Sequence, residues 1–241
     1  MKIFKILYTV YALLLFWFLM ILFAPFIFFP IVLFKKGGKI TFFFIRGWAR
    51  SWCYLIGLKF RIYGTEHIDK STPYIFVFNH SSYLDAPAIP MAIHREIKAL
   101  GKKELASIPI FGFLISQVAI WVDRKDADSK KASIQKLKTA LADGTSIVVA
   151  PEGTRNESSQ VLLPFQNGAF KLAVETGLSI MPMAIIGAGK LMNKNSLLIK
   201  PGTIHIYFSK PLKATSSSPD EIALLRDKTY NRLEAMILTH E

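Results

Sequence analysis

The N-terminal apolar run constrains the fold of this chain more than any other feature. No charged residue occurs from Ile6 to Phe34, and the part from Ile6 to Ala24 is long enough to cross a bilayer. One straight helix over the whole run would measure about 44 Å, more than the roughly 30 Å hydrocarbon core. Pro25 and Pro30 also disfavour one straight helix. Because the run is too long for a cleaved signal peptide, it predicts a membrane-inserted helical segment.

The residues that flank this run are basic at both ends. Lys2 and Lys5 precede it, and Lys35, Lys36 and Lys39 follow it. Loops rich in lysine and arginine stay on the cytoplasmic side, so both ends are expected there. This favours a re-entrant hairpin within the run, with a single span as the alternative. The expected location is the cytoplasmic face of the inner (plasma) membrane.

The stretch that follows, up to Leu58, is rich in aromatic residues and carries Arg46 and Arg50 four positions apart. This pattern predicts an interfacial helix with both arginines toward lipid headgroups. Residues 1–58 are therefore expected to form a membrane anchor, and residues 59–241 a folded domain. The net charge of +13 beside an apolar anchor favours anionic lipid as a partner. Nucleic acid is not expected, because no nucleic-acid-binding motif occurs.

From residue 59 onward, the sequence alternates between strand and helix patterns. Alternating or continuous apolar runs predict strands, and apolar residues that share one helical face predict helices. An α/β fold follows, with a mixed, largely parallel sheet flanked by helices. The strands are expected at 59–63, 74–78, 118–122, 145–150, 180–186 and 204–208, and the helices at 128–143, 170–176 and 219–238.

One predicted buried strand runs directly into the polar sequence Asn79-His-Ser-Ser-Tyr-Leu-Asp85. On a continuous helix, His80 and Asp85 would point about 140° apart. His80 is therefore placed on the turn after the strand, with Asp85 at the start of a helix and reaching back to it. A carboxylate on one imidazole nitrogen leaves the other nitrogen as an acceptor for a hydroxyl proton. A capping aspartate near a surface histidine is the structural alternative.

Another predicted buried strand ends in Pro151-Glu-Gly-Thr-Arg155. Ligands bind at the carboxyl ends of strands in open α/β sheets, so the two motifs are expected to share one cleft. Gly153 allows a tight turn, and Arg155 offers a planar fork for a phosphate. Further basic residues for an anionic headgroup follow other strands, namely Lys102, Lys103 and Arg124. A polar loop and a solvated basic face are the structural alternatives.

Other chemistries find no support in the sequence. There is no Gly-x-Ser-x-Gly elbow of a serine hydrolase and no phosphate-binding P-loop, and the histidines lack metal-ligand spacing. The sole cysteine, Cys53, excludes an intramolecular disulfide. Its apolar surroundings predict a buried, inert thiol.

The motifs together resemble the 1-acyl-sn-glycerol-3-phosphate acyltransferase (lysophosphatidic acid acyltransferase) family over residues 57–210. Asn79 to Asp85 is similar to its His-x-x-x-x-Asp motif, and Pro151 to Arg155 to its third block. Lys103 to Gly112 with Arg124 resembles the second block, and Ile180-Met-Pro-Met-Ala184 the fourth.

The resemblance implies that a fatty acyl group moves from acyl-CoA or acyl-carrier protein to the sn-2 hydroxyl of 1-acyl-sn-glycerol-3-phosphate, giving phosphatidic acid. It implies catalysis by His80 and Asp85, with acceptor binding by Glu152, Gly153, Thr154 and Arg155. No metal or cofactor is expected beyond the thioester co-substrate. Two alternatives stay open: another acceptor such as a lyso-ornithine lipid, or a non-catalytic lipid-binding membrane protein.

Overall fold

The computed structural model describes residues 2–34, 38–123, 125–192 and 196–240. Its centre is a seven-stranded sheet with the order β1-β7-β6-β2-β5-β3-β4. Strands β6 and β7 pair antiparallel, and every other neighbouring pair is parallel. The strands are β1 (Leu58–Tyr63), β2 (Ile75–Phe78), β3 (Ile97–Lys102), β4 (Ala119–Val122), β5 (Ser146–Val149), β6 (Ile180–Ile186) and β7 (Gly202–Phe208). The mixed, largely parallel sheet expected from the sequence is confirmed.

The helices cover both faces of the sheet. The first face packs against α1 (Lys2–Phe34), α2 (Gly38–Leu55) and α3 (Asp85–Ala92). The second packs against α5 (Ala127–Ala142), α6 (Gly168–Thr176) and α8 (Pro219–His240). Two short helices, α4 (Phe111–Ile115) and α7 (Ala188–Leu191), and two 3-10 turns, Thr65–His67 and Lys103–Ser107, complete the described chain.

The central strands are apolar throughout because both of their faces are covered. Phe76 and Phe78 of β2 lie in the core shared with α1 to α3, whereas Ile75 and Val77 lie in the opposite core. Every residue of β2, β5 and β6 is buried. The continuous apolar runs therefore correspond to strands covered on both faces, as expected for parallel sheets.

The N-terminal run forms one helix, α1, that continues through Pro25 and Pro30. The expected hairpin within this run is therefore wrong. Helix α2 packs antiparallel against α1: the indole Nε1 of Trp52 donates to the carbonyl of Ala12 at 2.8 Å. Aromatic packing of α1 on α2 continues beyond Pro25, with Phe26 stacked on Phe44. This packing stabilises the helix where the prolines remove backbone hydrogen bonds.

The second helix is less exposed than expected. Thr41, Phe42, Ile45, Trp48, Trp52 and Cys53 of α2 are buried. Arg46 is partly buried, and its Nε donates to the carbonyl of Pro90 in α3 at 2.8 Å. The orientation of Arg46 and Arg50 toward lipid headgroups stays a prediction. Lys35 and Lys36 lie outside the described residues.

The outer face of α1 is apolar and exposed. Among the described residues, α1 is the one helix long and apolar enough to cross a membrane, and only 22% of its most apolar window is buried. A core helix of a soluble protein would bury most of that surface. The exposed side chains include Leu7, Leu14, Phe18, Ile21, Phe29 and Val32.

Candidate active site

His80 and Asp85 meet at the carboxyl end of β2, where the spacing of the motif places them. Asp85 is the first residue of α3, and its Oδ2 lies 2.8 Å from Nδ1 of His80. The same oxygen accepts the backbone amides of Ser81 and Ser82, each at 2.8 Å. An oxygen that accepts two amides has no proton to offer, so Nδ1 of His80 is the donor in the neutral ring. Nε2 is then the acceptor nitrogen.

Glu152 lies beside this pair, at the end of β5. Strand β5 is hydrogen-bonded to β2 in parallel register, so the two motifs converge as expected. Oε1 of Glu152 accepts the amide of His80 at 2.8 Å, and Oε2 accepts the amide of Leu163 at 2.8 Å. Burial raises the pKa of the Glu152 carboxyl, and these two amides oppose that rise. Both oxygens are thus engaged by backbone, which favours a positioning role for Glu152 over direct substrate contact.

The turn after Glu152 places Arg155 against the loop that joins His80 to Asp85. Gly153 has a φ of +72°, a left-handed conformation that glycine adopts readily and that forms the tight turn expected there. The guanidinium carbon of Arg155 lies 4.1 Å from the ring centroid of Tyr83, which stands between His80 and Asp85 in sequence. Arg155 also pairs with Glu157 through Nη2. Thr154 is exposed.

The basic residues of the neighbouring strands are less tightly tied to the site. Lys102 is the last residue of β3 and Lys103 follows it, at the same edge of the sheet. Their ammonium groups lie 3.3 Å from Glu104 and 3.6 Å from Asp123, respectively. Both side chains are more than half exposed, so these pairs are weak in water. Arg124 lies outside the described residues.

A cleft of about 300 Å³ opens beside His80 and Glu152. Side chains that the sequence analysis did not single out also line it, among them Asn79, Asn156 and Lys190. Asn79 ties the end of β2 to β6 beside the cleft. Its Oδ1 accepts the amide of Ile185 at 2.7 Å, and its Nδ2 donates to the carbonyl of Ile185 at 2.9 Å. The position of Asn79 directly before His80 was the sequence feature that could have indicated its place at the site.

Two buried polar atoms at the site have no hydrogen-bond partner within the described part of the chain. They are Oδ1 of Asp85 and Nε of Arg155. Buried polar groups are nearly always paired, and exceptions concentrate where a ligand or a reaction will use them. One is a carboxylate oxygen beside the histidine, and the other is a guanidinium N–H suited to an anion.

The fold and the site together define a class: an α/β protein with a histidine bonded to a carboxylate at the end of a central strand, and an arginine packed on the loop between the two. The Acyltransferase family model matches residues 59–186, more than half of the chain, and the chain belongs to the Acyltransferase family.

Several curated relatives share its sequence. The 1-acyl-sn-glycerol-3-phosphate acyltransferase BAT2, chloroplastic, of Brassica napus is 28% identical over 81% of this chain and 55% of its own. The 1-acyl-sn-glycerol-3-phosphate acyltransferase of Cocos nucifera is 30% identical over 72% of this chain and 56% of its own. The enzyme of the same name from Borreliella burgdorferi is 26% identical over 82% of this chain and 81% of its own. The chain spans about half the length of the plant relatives it matches.

A solved structure has the same fold. The 1-acyl-sn-glycerophosphate acyltransferase PlsC from Thermotoga maritima aligns with a TM-score of 0.81 and 24% identity, over 100% of this chain and 98% of its own. The similarity includes the N-terminal helices, because it extends over the whole chain.

Proposed function

We propose that this chain transfers a fatty acyl group from an acyl thioester to the sn-2 hydroxyl of 1-acyl-sn-glycerol-3-phosphate, which yields phosphatidic acid. The donor is acyl-CoA or acyl-carrier protein. The observation that carries the proposal is the contact of Nδ1 of His80 with Asp85 at 2.8 Å, in a ring that lines an open cleft. The names of the curated relatives, which are 1-acyl-sn-glycerol-3-phosphate acyltransferases, support the choice of acceptor.

The proposed reaction uses His80 as a general base. Nε2 takes the proton of the acceptor hydroxyl while the oxygen attacks the thioester carbonyl. The tetrahedral intermediate then collapses, the carbon–sulfur bond breaks, and the leaving thiolate takes the proton back from the imidazolium. Asp85 keeps the ring in the right tautomer and stabilises its transient positive charge. This route calls for no resident metal or cofactor.

Arg155 is proposed to bind the phosphate of the acceptor. Its guanidinium lies against Tyr83, inside the loop that joins His80 to Asp85, so a phosphate on it would stand near the base. Its unpaired buried Nε is a donor that such a ligand would satisfy. Lys102, Lys103 and Arg124 are proposed as weaker contributors to headgroup binding at the same edge of the sheet.

The chain is proposed to work at the cytoplasmic face of the membrane, with residues 1–58 as its anchor. The exposed apolar face of α1 supports the anchor. Bonds from Trp52, and from the amide of Ile199 to Thr9, tie α1 to the rest of the protein. The site therefore stays close to any lipid surface that holds α1, which suits an acceptor embedded in that surface.

Turnover by purified full-length protein tests the proposal. The protein is incubated with lysophosphatidic acid in lipid vesicles and with either acyl-CoA or acyl-carrier protein, and phosphatidic acid is quantified. Formation of phosphatidic acid that His80→Ala abolishes supports the proposal. Turnover only on another lyso-lipid, such as a lyso-ornithine lipid, would identify that lipid as the acceptor. Binding of lipid without turnover on any acceptor would indicate a lipid-binding protein and not an enzyme.

A further inference from the structure

The turn from Pro109 to Phe111 has an unusual backbone. Ile110 has φ 62° and ψ −55°, and the amide of Phe111 donates to the carbonyl of Pro109 at 2.6 Å. These values define a γ-turn with positive φ, which is rare and strained. Ile110 is the one residue other than glycine with positive φ in the described chain. A β-branched residue is the least suited to this conformation, whereas glycine would adopt it without strain.

The surrounding structure holds this turn in place. A Cβ on Gly112 would lie 2.0 Å from the carbonyl oxygen of Ala106, so the first turn of α4 packs directly on the 3-10 turn at Lys103–Ser107. The amide of Gly112 also donates to the carbonyl of Ile108 at 2.9 Å. Strain of this kind persists only where packing imposes it, and such sites concentrate where a ligand or partner binds.

The side chain of Ile110 leaves about half of its apolar surface outside the protein. Ile110 is 49% exposed, and its neighbours Phe113 and Leu105 are 48% and 39% exposed. A single exposed apolar residue is ordinary on a protein surface. Three within nine positions, one of them at a backbone position that would favour glycine, indicate that the apolar surface itself is needed.

This surface is continuous with the outer face of α1. The ring centroid of Phe113 lies 5.7 Å from that of Phe28 on α1, which is itself half exposed. The ring centroid of Phe111 lies 6.2 Å from that of Phe16, so α4 lies alongside the helix. An occupant that covers the apolar face of α1 would therefore also reach Ile110.

We propose that Leu105, Ile110 and Phe113 form a second membrane-inserting surface, borne by the α/β domain and separate in sequence from α1. We name these three residues the α4 wedge. Its occupant is the interfacial and acyl region of a lipid bilayer. The inference rests on the membrane location given to α1 in the proposed function and is independent of the acyl-transfer chemistry. The α4 wedge fixes the orientation of the α/β domain, because contacts with the bilayer through both α1 and the wedge prevent the domain from rotating about α1.

Site-directed fluorescence in vesicles tests the wedge. The native Cys53 is 1% exposed, so a new surface cysteine takes the label and the native one does not. An environment-sensitive dye is attached to full-length Ile110→Cys, Phe113→Cys, Phe18→Cys on the outer face of α1, and Leu224→Cys on α8. Each protein is reconstituted in phosphatidylethanolamine–phosphatidylglycerol vesicles that contain spin-labelled lipid.

The expected result is a blue-shifted, lipid-quenched dye at positions 110, 113 and 18, and an aqueous dye at 224, which is 46% exposed. Lipid contact at 18 with an aqueous dye at both 110 and 113 overturns the wedge and leaves the anchor intact. An aqueous dye at 18 as well contradicts the anchor of the proposed function. A shielded dye at 110 that lipid does not quench, and whose shielding depends on protein concentration, would assign the surface to a second copy of this chain.

A glycine variant separates the side chain from the backbone. Ile110→Gly relieves the positive φ, so its Tm is expected to equal or exceed that of the wild type. The same variant, labelled at Phe113→Cys, is expected to show weaker lipid quenching. A purely structural role for Ile110 predicts a lower Tm and unchanged quenching, and that outcome would overturn the inference.

Discussion

The backbone amide of His80 donates to Oε1 of Glu152 at 2.8 Å, across 72 positions of sequence. The carbonyl of His80 in turn accepts the amide of Asn156 at 2.7 Å. The loop after β5 thus bonds both of the peptide groups that flank the proposed base. Glu152 is therefore expected to affect the reaction through the position of His80, and not through contact with the substrate.

Glu152→Gln is expected to lower both Tm and kcat, with little change in the KM for the acceptor. The glutamine amide nitrogen cannot accept a hydrogen bond, so the amide of His80 or of Leu163 loses its partner. A buried amide without a partner costs about 1–3 kcal/mol. Steady-state kinetics and thermal unfolding measure the two effects.

Glu175→Gln on α6 is the control for Glu152→Gln. It loses partly exposed ion pairs to Lys138 and Lys171, so its kcat and Tm should stay near those of the wild type. A raised KM with unchanged kcat would instead assign Glu152 to substrate contact.

His80→Ala is expected to lower kcat by about 10²-fold or more, since general-base catalysis typically contributes 10²–10⁴-fold. The side chain is 29% exposed, so the fold should survive its loss, and circular dichroism checks this. His94→Ala is the matched control, because the ring of His94 bonds the nearby carbonyl of Met91 and does not line the cleft. A folded His80→Ala protein with near wild-type turnover would remove His80 from the mechanism.

Asp85→Asn is expected to lower kcat by a similar factor without removing any heavy atom from the ring. The asparagine oxygen can take the place of Oδ2, which accepts the amides of Ser81 and Ser82 and lies against Nδ1 of His80. A neutral amide there no longer stabilises the positive charge that the imidazole gains when it takes the proton. If the pair acts as a unit, the double variant His80→Ala, Asp85→Asn should be no slower than His80→Ala alone. Additive losses in kcat would show that Asp85 acts independently of His80.

Arg155→Lys is expected to raise the KM for the lysolipid about tenfold and to leave the KM for the thioester unchanged. Lysine keeps the charge, but it loses the bidentate fork and the flat group that lies on Tyr83. Arg226→Lys is the control, since its guanidinium bonds Asn167 and Asp227 on the α8 side of the molecule. A raised KM for the thioester alone would move Arg155 to the donor site.

The sequence predicted the sheet and the pair His80–Asp85 because both follow from local patterns. Buried strands are continuous apolar runs, and a spacing of five can close only across a turn. Strand β3 (Ile97–Lys102) escaped prediction because Lys98 and Lys102 interrupt its apolar pattern. In the structure the ammonium of Lys98 bonds the carbonyl of Gln117, and Gly101 leaves space for the ring of Trp121.

Two other features depend on tertiary contacts and could not be predicted. The bonds from Glu152 to the amides of His80 and Leu163 join segments that are distant in sequence, so no local pattern contains them. The course of α1 through Pro25 and Pro30 depends on its packing against α2, whereas the proline rule considers only the helix itself. The roles assigned to the site residues stay predictions until kinetics test them.

Cys53 is expected to resist alkylation in the native protein and to react once the chain unfolds. Burial raises the pKa of its thiol to about 12 from the ordinary 9.0, so the reactive thiolate is scarce near neutral pH.

Because the pKa of the Cys53 thiol is higher in the folded than in the unfolded protein, the contribution of this thiol to stability is fully present below pH 9.0 and is lost as the pH rises toward about 12. Unfolding free energies of the wild type and Cys53→Ala should therefore converge over that interval. A difference that does not vary with pH would show that the thiol does not titrate in this way.

The anchor is expected to depend on the outer face of α1. Leu14 and Phe18 are 66% and 62% exposed, so a lysine at either position should not disturb the protein core. In a bilayer the same lysine costs about 2.5–3.5 kcal/mol at the centre of a spanning helix, and less near the interface. Leu14→Lys and Phe18→Lys should therefore shift the protein from vesicles to solution in flotation assays. Leu224→Lys on α8 is the control, and equal flotation of all three would contradict the anchor.

The two ends of α1 are expected to face the same, cytoplasmic side of the membrane. The amide of Ile199 donates to Thr9 in one half of α1 and Phe113 packs on Phe28 in the other half, so the α/β domain follows α1 along much of its length. A helix that crossed the bilayer would carry these contacts into the hydrocarbon core together with the polar backbone of the domain, which is strongly unfavourable. Impermeant thiol reagents applied to each side of sealed vesicles measure the topology of Lys2→Cys and Lys36→Cys, with the buried Cys53 left in place. Both positions should react from the cytoplasmic side. If they react from opposite sides, α1 spans the bilayer, and its contacts with the domain must break when the protein inserts.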